Sequence, residues 1–311
     1  MIFGASAVRA GFALALLIAS ACAHNTAQPS AAQPAARIWI GGDVFLGTGG
    51  RGALASIPSI VGGAPGIVNL EGPVGKSDTG DDRRAIRLLQ APQALGELHA
   101  AGVIIAGIAN NHARDAGPDG GASTMRALAA VGVQPAGGAA GPAVVTIGGL
   151  RVVVTAHDLE GGVPKSLRDD LIAARRRGDV LVATFHVTGP PTYLPRPELL
   201  EAVAIALEAG AAAIAAHGTH ELARVERRGR AVIAWGLGNV AFACACTDET
   251  SGALLEVTLG TEGAGEAAII PIDAGLEGAA ARASGDPGLA FDLLEALGAT
   301  RLDRRGDRAR F

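Results

Sequence analysis

Short apolar runs recur along the chain at 38–40, 66–70, 103–108, 151–156, 180–185, 211–215, 231–237, 254–259 and 268–272. Alanine- and leucine-rich stretches that read as helices lie at 92–101, 118–131 and 198–209, with one more at 287–297. Proline near the first turn and glycine at or near the end mark the second and third of these, and the first stops before Gly102. Strand-length runs alternating with helix-length stretches predict an α/β fold. No internal repeat competes with that reading.

The residues that follow the strands are the informative ones. Asp43 comes after Ile40, Glu71 after Leu70, Asn110-Asn111-His112 after Ile108, His186 after Phe185, and His217 with His220 after Ala215. Ligand sites in open α/β sheets lie beyond the carboxyl ends of strands, so these positions can converge on one edge despite their separation in sequence. Each has a plain structural reading of its own. Asp43 could be a turn or cap residue, Glu71 an exposed turn, the asparagines a loop bonded to its own backbone, and either histidine a hydrogen-bonded core group. Together they form a set of N and O donors suited to Zn²⁺, Mn²⁺ or Fe. Of the other histidines, His24 and His99 read as solvated, while His157 also ends a strand and could line the same edge.

Composition narrows the class. Hydrophobic residues make up 49% of the 311 and the mean hydropathy is +0.32, which excludes a wholly disordered chain. A net charge of −4 and 3% aromatics give neither a basic field nor stacking surfaces, so nucleic acid is excluded as a partner. Alanine and 45 glycines predict a core of small side chains and backbone that can approach a ligand closely.

Residues 1–21 read as an export signal: Arg9, an apolar run at 12–18, then Ala19-Ser20-Ala21. Cys22 follows at the place of a lipidated cysteine, and plain cleavage between Ala21 and Cys22 is the competing reading. Residues 22–36 are then the lipid-anchor cysteine and a flexible tether, 37–275 the folded domain, and 276–311 a tail with one helix and a basic run at 301–310 expected to be a solvated end. Cys244 and Cys246 are expected to be two small residues at a strand end or turn, since a disulfide across one intervening residue is an awkward closure.

The blocks around the candidate ligands resemble a known family. Gly42-Asp43-Val44-Phe45-Leu46-Gly47, Val68-Asn69-Leu70-Glu71-Gly72-Pro73 and Ala109-Asn110-Asn111-His112-Ala113-Arg114-Asp115-Ala116-Gly117 resemble the G-D-x-x-L-G, N-L-E-x-P and A-N-N-H-x-x-D-x-G blocks of the CapA (PgsA-type) proteins of poly-γ-glutamate capsule synthesis. His186 with Gly189, Ala216-His217-Gly218-Thr219-His220 and Trp235-Gly236-Leu237-Gly238-Asn239 resemble the later blocks, so the resemblance spans about 37–245. It implies a calcineurin-like metallophosphoesterase fold, a two-sheet sandwich flanked by helices. It also implies a centre of one or two divalent ions (Mn, Zn or Fe) held by Asp43, Glu71, Asn111, His186, His217 and His220. His112 would be the catalytic acid, and Asn69, Asn110, Tyr193 and Asn239 would contact substrate.

The implied protein is anchored in the bacterial cell envelope through Cys22, outside the cytoplasm. Its implied partners are an anionic polymer or phosphoester substrate, the membrane and the capsule synthesis machinery; its implied role is metal-dependent hydrolysis, or non-catalytic assembly or export using the same pocket. Two departures stand out. Phe45 occupies a place where metallophosphoesterases usually carry histidine, and Val187-Thr188-Gly189-Pro190-Pro191 lacks the family's tryptophan and acid after His186.

Overall fold

The strand that carries Asp43, β1 (Ala35–Phe45), runs through the middle of a mixed sheet and hydrogen-bonds to three neighbours. The computed structural model describes residues 1–4, 34–49, 52–75, 86–189 and 192–311. Cys22 and nearly all of the leader and tether expected from the sequence lie outside the described residues. Ala35 and Ala36 already belong to β1, with Ala36 buried, so the strand begins inside the stretch expected to be tether.

Along the chain, β1, β2 (Gly66–Leu70), β3 (Val103–Gly107) and β4 (Gln134–Ala136) start the first sheet. The second sheet takes β5 (Ala143–Ile147), β6 (Leu150–Asp158), β7 (Val180–His186), β8 (Ala211–His217), β9 (Val225–Arg228) and β10 (Ala231–Ala234). The chain then returns to the first with β11 (Asn239–Phe242), β12 (Ser251–Gly260), β13 (Gly263–Asp273), β14 (Gly275–Leu276), β15 (Arg282–Ala283), β16 (Asp303–Arg305) and β17 (Arg308–Arg310). The first sheet is ordered β16-β17-β13-β12-β1-β2-β3-β4, with β11 between β1 and β14 and β15 against β13. The second is ordered β5-β6-β7-β8-β10-β9, and its β6, β7, β8 and β10 run parallel.

The two sheets pack face to face. Ile38, Ile40 and Ile67 of the first meet Val152, Val154 and Val182 of the second, and much of the remaining layer is alanine, including Ala136, Ala156, Ala213, Ala215 and Ala253. β1 shows how period-two alternation builds this: Ile38 and Ile40 face the second sheet while Trp39 faces the helices. On the outer face of the first sheet lie α1 (Ile57–Ile60), α2 (Gly96–Ala100) and α3 (Gly120–Ala130). Outside the second lie α4 (Leu167–Arg175) and α5 (Pro197–Glu208), whose Leu199, Ala202, Val203 and Ala206 recur at helical spacing against Phe185 and Leu181. The fold is thus an α/β two-sheet sandwich flanked by helices.

Three expectations need correction. The stretch 92–101 is a 3-10 turn, Pro92–Leu95, followed by the single α-turn of α2, with Gly96 at the junction. The basic run 301–310 keeps its arginines largely exposed but is not a loose end: β16 and β17 form a hairpin that extends the first sheet through β13, burying Leu302 and Ala309. Its arginines point to partners rather than to water alone, Arg304 pairing at 2.7 Å with Asp292 and 2.6 Å with Glu295 of α6 (Pro287–Ala296). Cys244 and Cys246 are joined by a disulfide, because the turn after β11 brings their Cα atoms to 5.1 Å, within the span such a bond closes.

Ending the chain at residue 300 bares the edge of β13 and removes two buried side chains. Urea unfolding of the shortened protein is expected to show roughly 2–4 kcal/mol less stability. An unchanged midpoint would show that the hairpin contributes nothing.

Candidate metal centre

Asp43 is delivered by a bulge in β1. The pairing with β2 shifts register between Ile40 and Asp43, across Gly41-Gly42. A Cβ at Gly42 would lie 1.9 Å from the Gly238 carbonyl oxygen, the same oxygen that accepts the Asp43 N–H at 3.0 Å. The Gly-Asp pair therefore exists because backbone from another block must touch it. Asp43 is 1% exposed, and its carboxylate is held by Asn69 Nδ2 at 2.8 Å on Oδ1 and Gly218 N at 3.0 Å on Oδ2. Gly218 itself has φ +94° and no room for a Cβ, which would sit 2.7 Å from the His186 ring.

Glu71 leaves the end of β2 with its N–H bonded to the Val44 carbonyl at 2.9 Å. Gln90, fully buried, clamps this corner: its amide Nε2 donates to the Glu71 carbonyl at 2.8 Å and its Oε1 accepts from Leu46 N at 3.0 Å. The carboxylate is surrounded by imidazoles, with Oε1 3.6 Å from His186 Nε2, 3.9 Å from His220 Nε2 and 4.0 Å from His112 Nε2. Asp43, Glu71 and His186 each present one ligand atom within 4.8 Å of the others.

The histidines come from the second sheet. His186 and His217 end β7 and β8 as direct register partners, so the pleat sends both rings to one face. His217 Nδ1 lies 3.8 Å from Asp43 Oδ1. His220 Nδ1 lies 3.3 Å from Asp43 Oδ2 and 2.9 Å from Asn239 Oδ1. Asn239 Nδ2 donates to the Glu249 carbonyl, which leaves Oδ1 as acceptor; His220 Nδ1 thus carries a proton, and Nε2 faces Glu71. His220 sits at φ +59°, an uncommon conformation for a non-glycine residue, with its ring edge-on to Phe242 at 4.9 Å. Phe45 packs 5.6 Å from the same Phe242 ring.

Charge follows geometry. Burial pushes the His217 imidazole down to about 4, so at neutral pH it is an uncharged donor. Burial also opposes charge on His220 and His186, but Asp43 and Glu71 outweigh it, raising His220 to about 9 and His186 in the same direction. For Asp43, burial is outweighed by His220, His217 and His186, which hold its carboxyl below the ordinary range.

His112 stands at the rim, its Nδ1 2.7 Å from Asp115 Oδ2. Asp115 Oδ2 also accepts from Leu88 N at 2.7 Å, so it anchors the ring and leaves Nε2 turned to Glu71. Asn110 Nδ2 donates to Asn69 Oδ1 at 3.2 Å and to the Leu70 carbonyl at 2.9 Å. Asn69, Asn110 and Asn239, expected to contact substrate, thus spend amide bonds on positioning the acid and imidazole groups. Tyr193 is 43% exposed, and its phenol is raised by nearby Glu221, by burial and by Glu249. His157 is the register partner of Phe185, its ring tilted against that of Phe185 at 5.9 Å on the outer face of the second sheet, rather than joining the cluster.

Fit to a metal can be read from atoms without partners. Both carboxylate oxygens of Glu71, both ring nitrogens of His186 and of His217, and Asn111 Oδ1 are buried and without a hydrogen bond. Buried polar atoms are nearly always bonded, and a cluster of imidazole and carboxylate donors is the donor set of a divalent cation. Reading the sequence alone missed Asp115, Gln90 and Phe242; for Asp115 the signal was present, three residues beyond His112 in the same block.

Comparison with protein families finds that the family model described as "Bacterial capsule synthesis protein PGA_cap" matches residues 56–243. Among solved structures, a single mutant of Vps29 from Entamoeba histolytica aligns with 67% of this chain and 91% of that chain, at 14% identity and a TM-score of 0.26. Comparison with curated proteins finds no match.

The raised His220 value implies stability that is complete below about 6.5 and lost as pH rises through about 9 in metal-free protein. In chelator, unfolding free energy is expected to fall by roughly 2–3 kcal/mol across that window. His220→Gln should flatten the slope, and an equally steep slope in that variant would assign it elsewhere.

Proposed function

Since the chain belongs to the bacterial capsule synthesis protein family whose model covers 56–243, we propose that it is an envelope-anchored, metal-dependent hydrolase acting on a phosphoester or amide of an anionic polymer. The observation that carries this reading is the buried cluster of unpartnered carboxylate and imidazole atoms at the ends of β1, β2, β7 and β8. Asp43, Glu71, Asn111, His186, His217 and His220 would hold one or two divalent ions. Bound there, such ions supply Lewis-acid polarisation and activation of water at neutral pH.

The chain's own residues do the rest. Asn69 and the Gly218 N–H keep the Asp43 carboxylate oriented, and the low value at His217 keeps that ring free of a competing proton. Asp115 takes the His112 Nδ1 proton as a hydrogen bond, which directs the opposite nitrogen toward the centre as the atom that delivers a proton to the departing group. Anchoring would come through Cys22, with the domain held outside the cytoplasm. No helix among the described residues is long and apolar enough to cross a membrane.

Phe45 favours a second reading. It fills a ligand place with a ring packed on Phe242, and a centre so reduced suits a non-catalytic assembly or export factor that grips polymer in the same pocket.

The deciding experiment is metal analysis with a phosphoester and γ-glutamyl substrate panel on protein beginning at residue 34. Glu71→Ala and His217→Ala are expected to lose Mn²⁺ or Zn²⁺. His112→Ala should keep the metal and lose activity by about 10²–10⁴-fold. Full activity in His112→Ala would overturn the proton-donor role given to His112, and a metal-loaded protein inactive on every substrate would overturn the hydrolase reading and favour the second.

A further inference from the structure

The end of the second sheet opposite the metal centre is crowded with arginine. Arg151 is the second residue of β6, Arg175, Arg176 and Arg177 lead from α4 toward β7, and Arg228 and Arg230 flank Gly229 between β9 and β10. Arg175, Arg228 and Arg230 line one cavity of about 440 Å³ together with Gly260 of β12, so these loops form a continuous face. The acids close to them each have an arginine: Asp179 has Arg151 at 3.6 Å, Glu226 has Arg228 at 2.8 Å, Glu262 has Arg230 at 2.9 Å, and Glu208 has Arg168. Arg175 spends an N–H on the Gly178 carbonyl at 2.9 Å. Arg176 and Arg177 are exposed, and their side chains make no hydrogen bond or ion pair among the described residues. On a chain whose net charge is −4, this face carries a surplus of positive charge.

The chain enters the fold at the same face. Ala35, the first residue of β1, pairs with Gly260, and its carbonyl oxygen lies against the β5–β6 turn, 1.9 Å from where a Cβ at Gly148 would stand. Cys22, the proposed anchor, is twelve residues ahead of Pro34, a span of at most about 43 Å. A membrane that holds Cys22 is therefore within reach of the arginines. The metal centre lies the other way, since Asp43 stands eight residues farther along β1, about 26 Å by strand rise.

We propose that this face docks on an anionic phospholipid surface, laying the starts of β6, β7, β8 and β10 against the headgroups and turning the metal centre outward. The inference rests on the envelope-anchor reading for proximity and on the surplus of arginine for chemistry. Guanidinium groups bind phosphate oxygens through paired N–H bonds, and a negative leaflet attracts basic residues within a Debye length. An anchor at Cys22 sets distance alone; the arginine face sets which way the domain points. A soluble polyanion would meet the same charges, but it would lie at the end of the sandwich remote from the centre that is to act on it.

The chain from residue 22 on, without lipid, would be sedimented with vesicles of phosphatidylglycerol and phosphatidylcholine, and with vesicles of phosphatidylcholine alone. It is expected to bind the first and not the second, and to be released when ionic strength rises from about 0.1 M to about 1 M. Arg176→Gln with Arg177→Gln should weaken binding about twenty-fold, roughly fivefold for each arginine. Arg114→Gln with Arg282→Gln also removes two charges, from the turn that carries His112 and from the partner of Asp273 at the far end of β13, and should bind as the parent does. Equal binding to both vesicles, or equal losses in the two double variants, would overturn the proposal. So would binding of soluble polyglutamate that depends on Arg176 and Arg177 with none to vesicles.

Acylation is followed separately, by incorporation of labelled fatty acid at Cys22. A protein that docks on vesicles but is never acylated would sink the anchor and leave the face standing. An acylated protein whose lipid-free chain ignores vesicles would keep the anchor and overturn the face.

Discussion

Two carboxylates lie almost entirely out of water at the seam between the sheets, and an unpaired buried charge costs several kcal/mol. Much of the surrounding structure answers that cost, unequally. Asp43 receives two N–H groups, from Asn69 and Gly218, and lies beside His220. Glu71 has no hydrogen bond at either carboxylate oxygen and relies on three imidazoles standing 3.6–4.0 Å away. The first carboxylate is therefore stabilised by the fold itself, and the second by whatever joins it to the histidines. Glycine at 42 and 218 lets backbone close around Asp43: a Cβ at Gly42 would strike the Gly238 carbonyl that accepts the Asp43 N–H, and one at Gly218, whose own N–H bonds the carboxylate, would strike the His186 ring.

What the sequence disclosed was the set of strand ends. Asp43, Glu71, His186, His217 and His220 could be gathered because each follows an apolar run, and strand periodicity fixes where such a run points. Asp115 was visible in the same block but had no role until its carboxylate was seen against the His112 ring. Gln90 and Phe242 carried no such mark. Gln90 acts by bridging two backbone groups distant in sequence, and Phe242 sits on a four-residue strand, β11, that lies beyond the apolar run at 231–237 and was not read as a strand. The tail misled for a related reason: arginines alternate there with small or apolar residues over too few positions for a strand to declare itself, and the partner edge that makes it one is β13.

Family membership and site geometry carry different weight. Membership in the capsule synthesis family states the biological setting, and the model spans both halves of the ligand set except Asp43, which lies before residue 56. Geometry adds what membership leaves open, namely which groups are spent on scaffolding. Asn69, Asn110 and Asn239 look alike in the motif blocks, yet all three use their amides inside the protein, and only Asn110 retains an unpartnered acceptor beside open space.

The alanine-rich layer between the sheets acts as a ruler. Asp43 and Glu71 are fixed to one sheet, His186 and His217 to the other, so the gap between acid and imidazole is the gap between sheets. Small residues such as Ala156, Ala213 and Ala215 set that spacing along the strands that lead to the site. A bulkier side chain at any of them would wedge the layers apart, and the ligand atoms would separate although none of them had been touched.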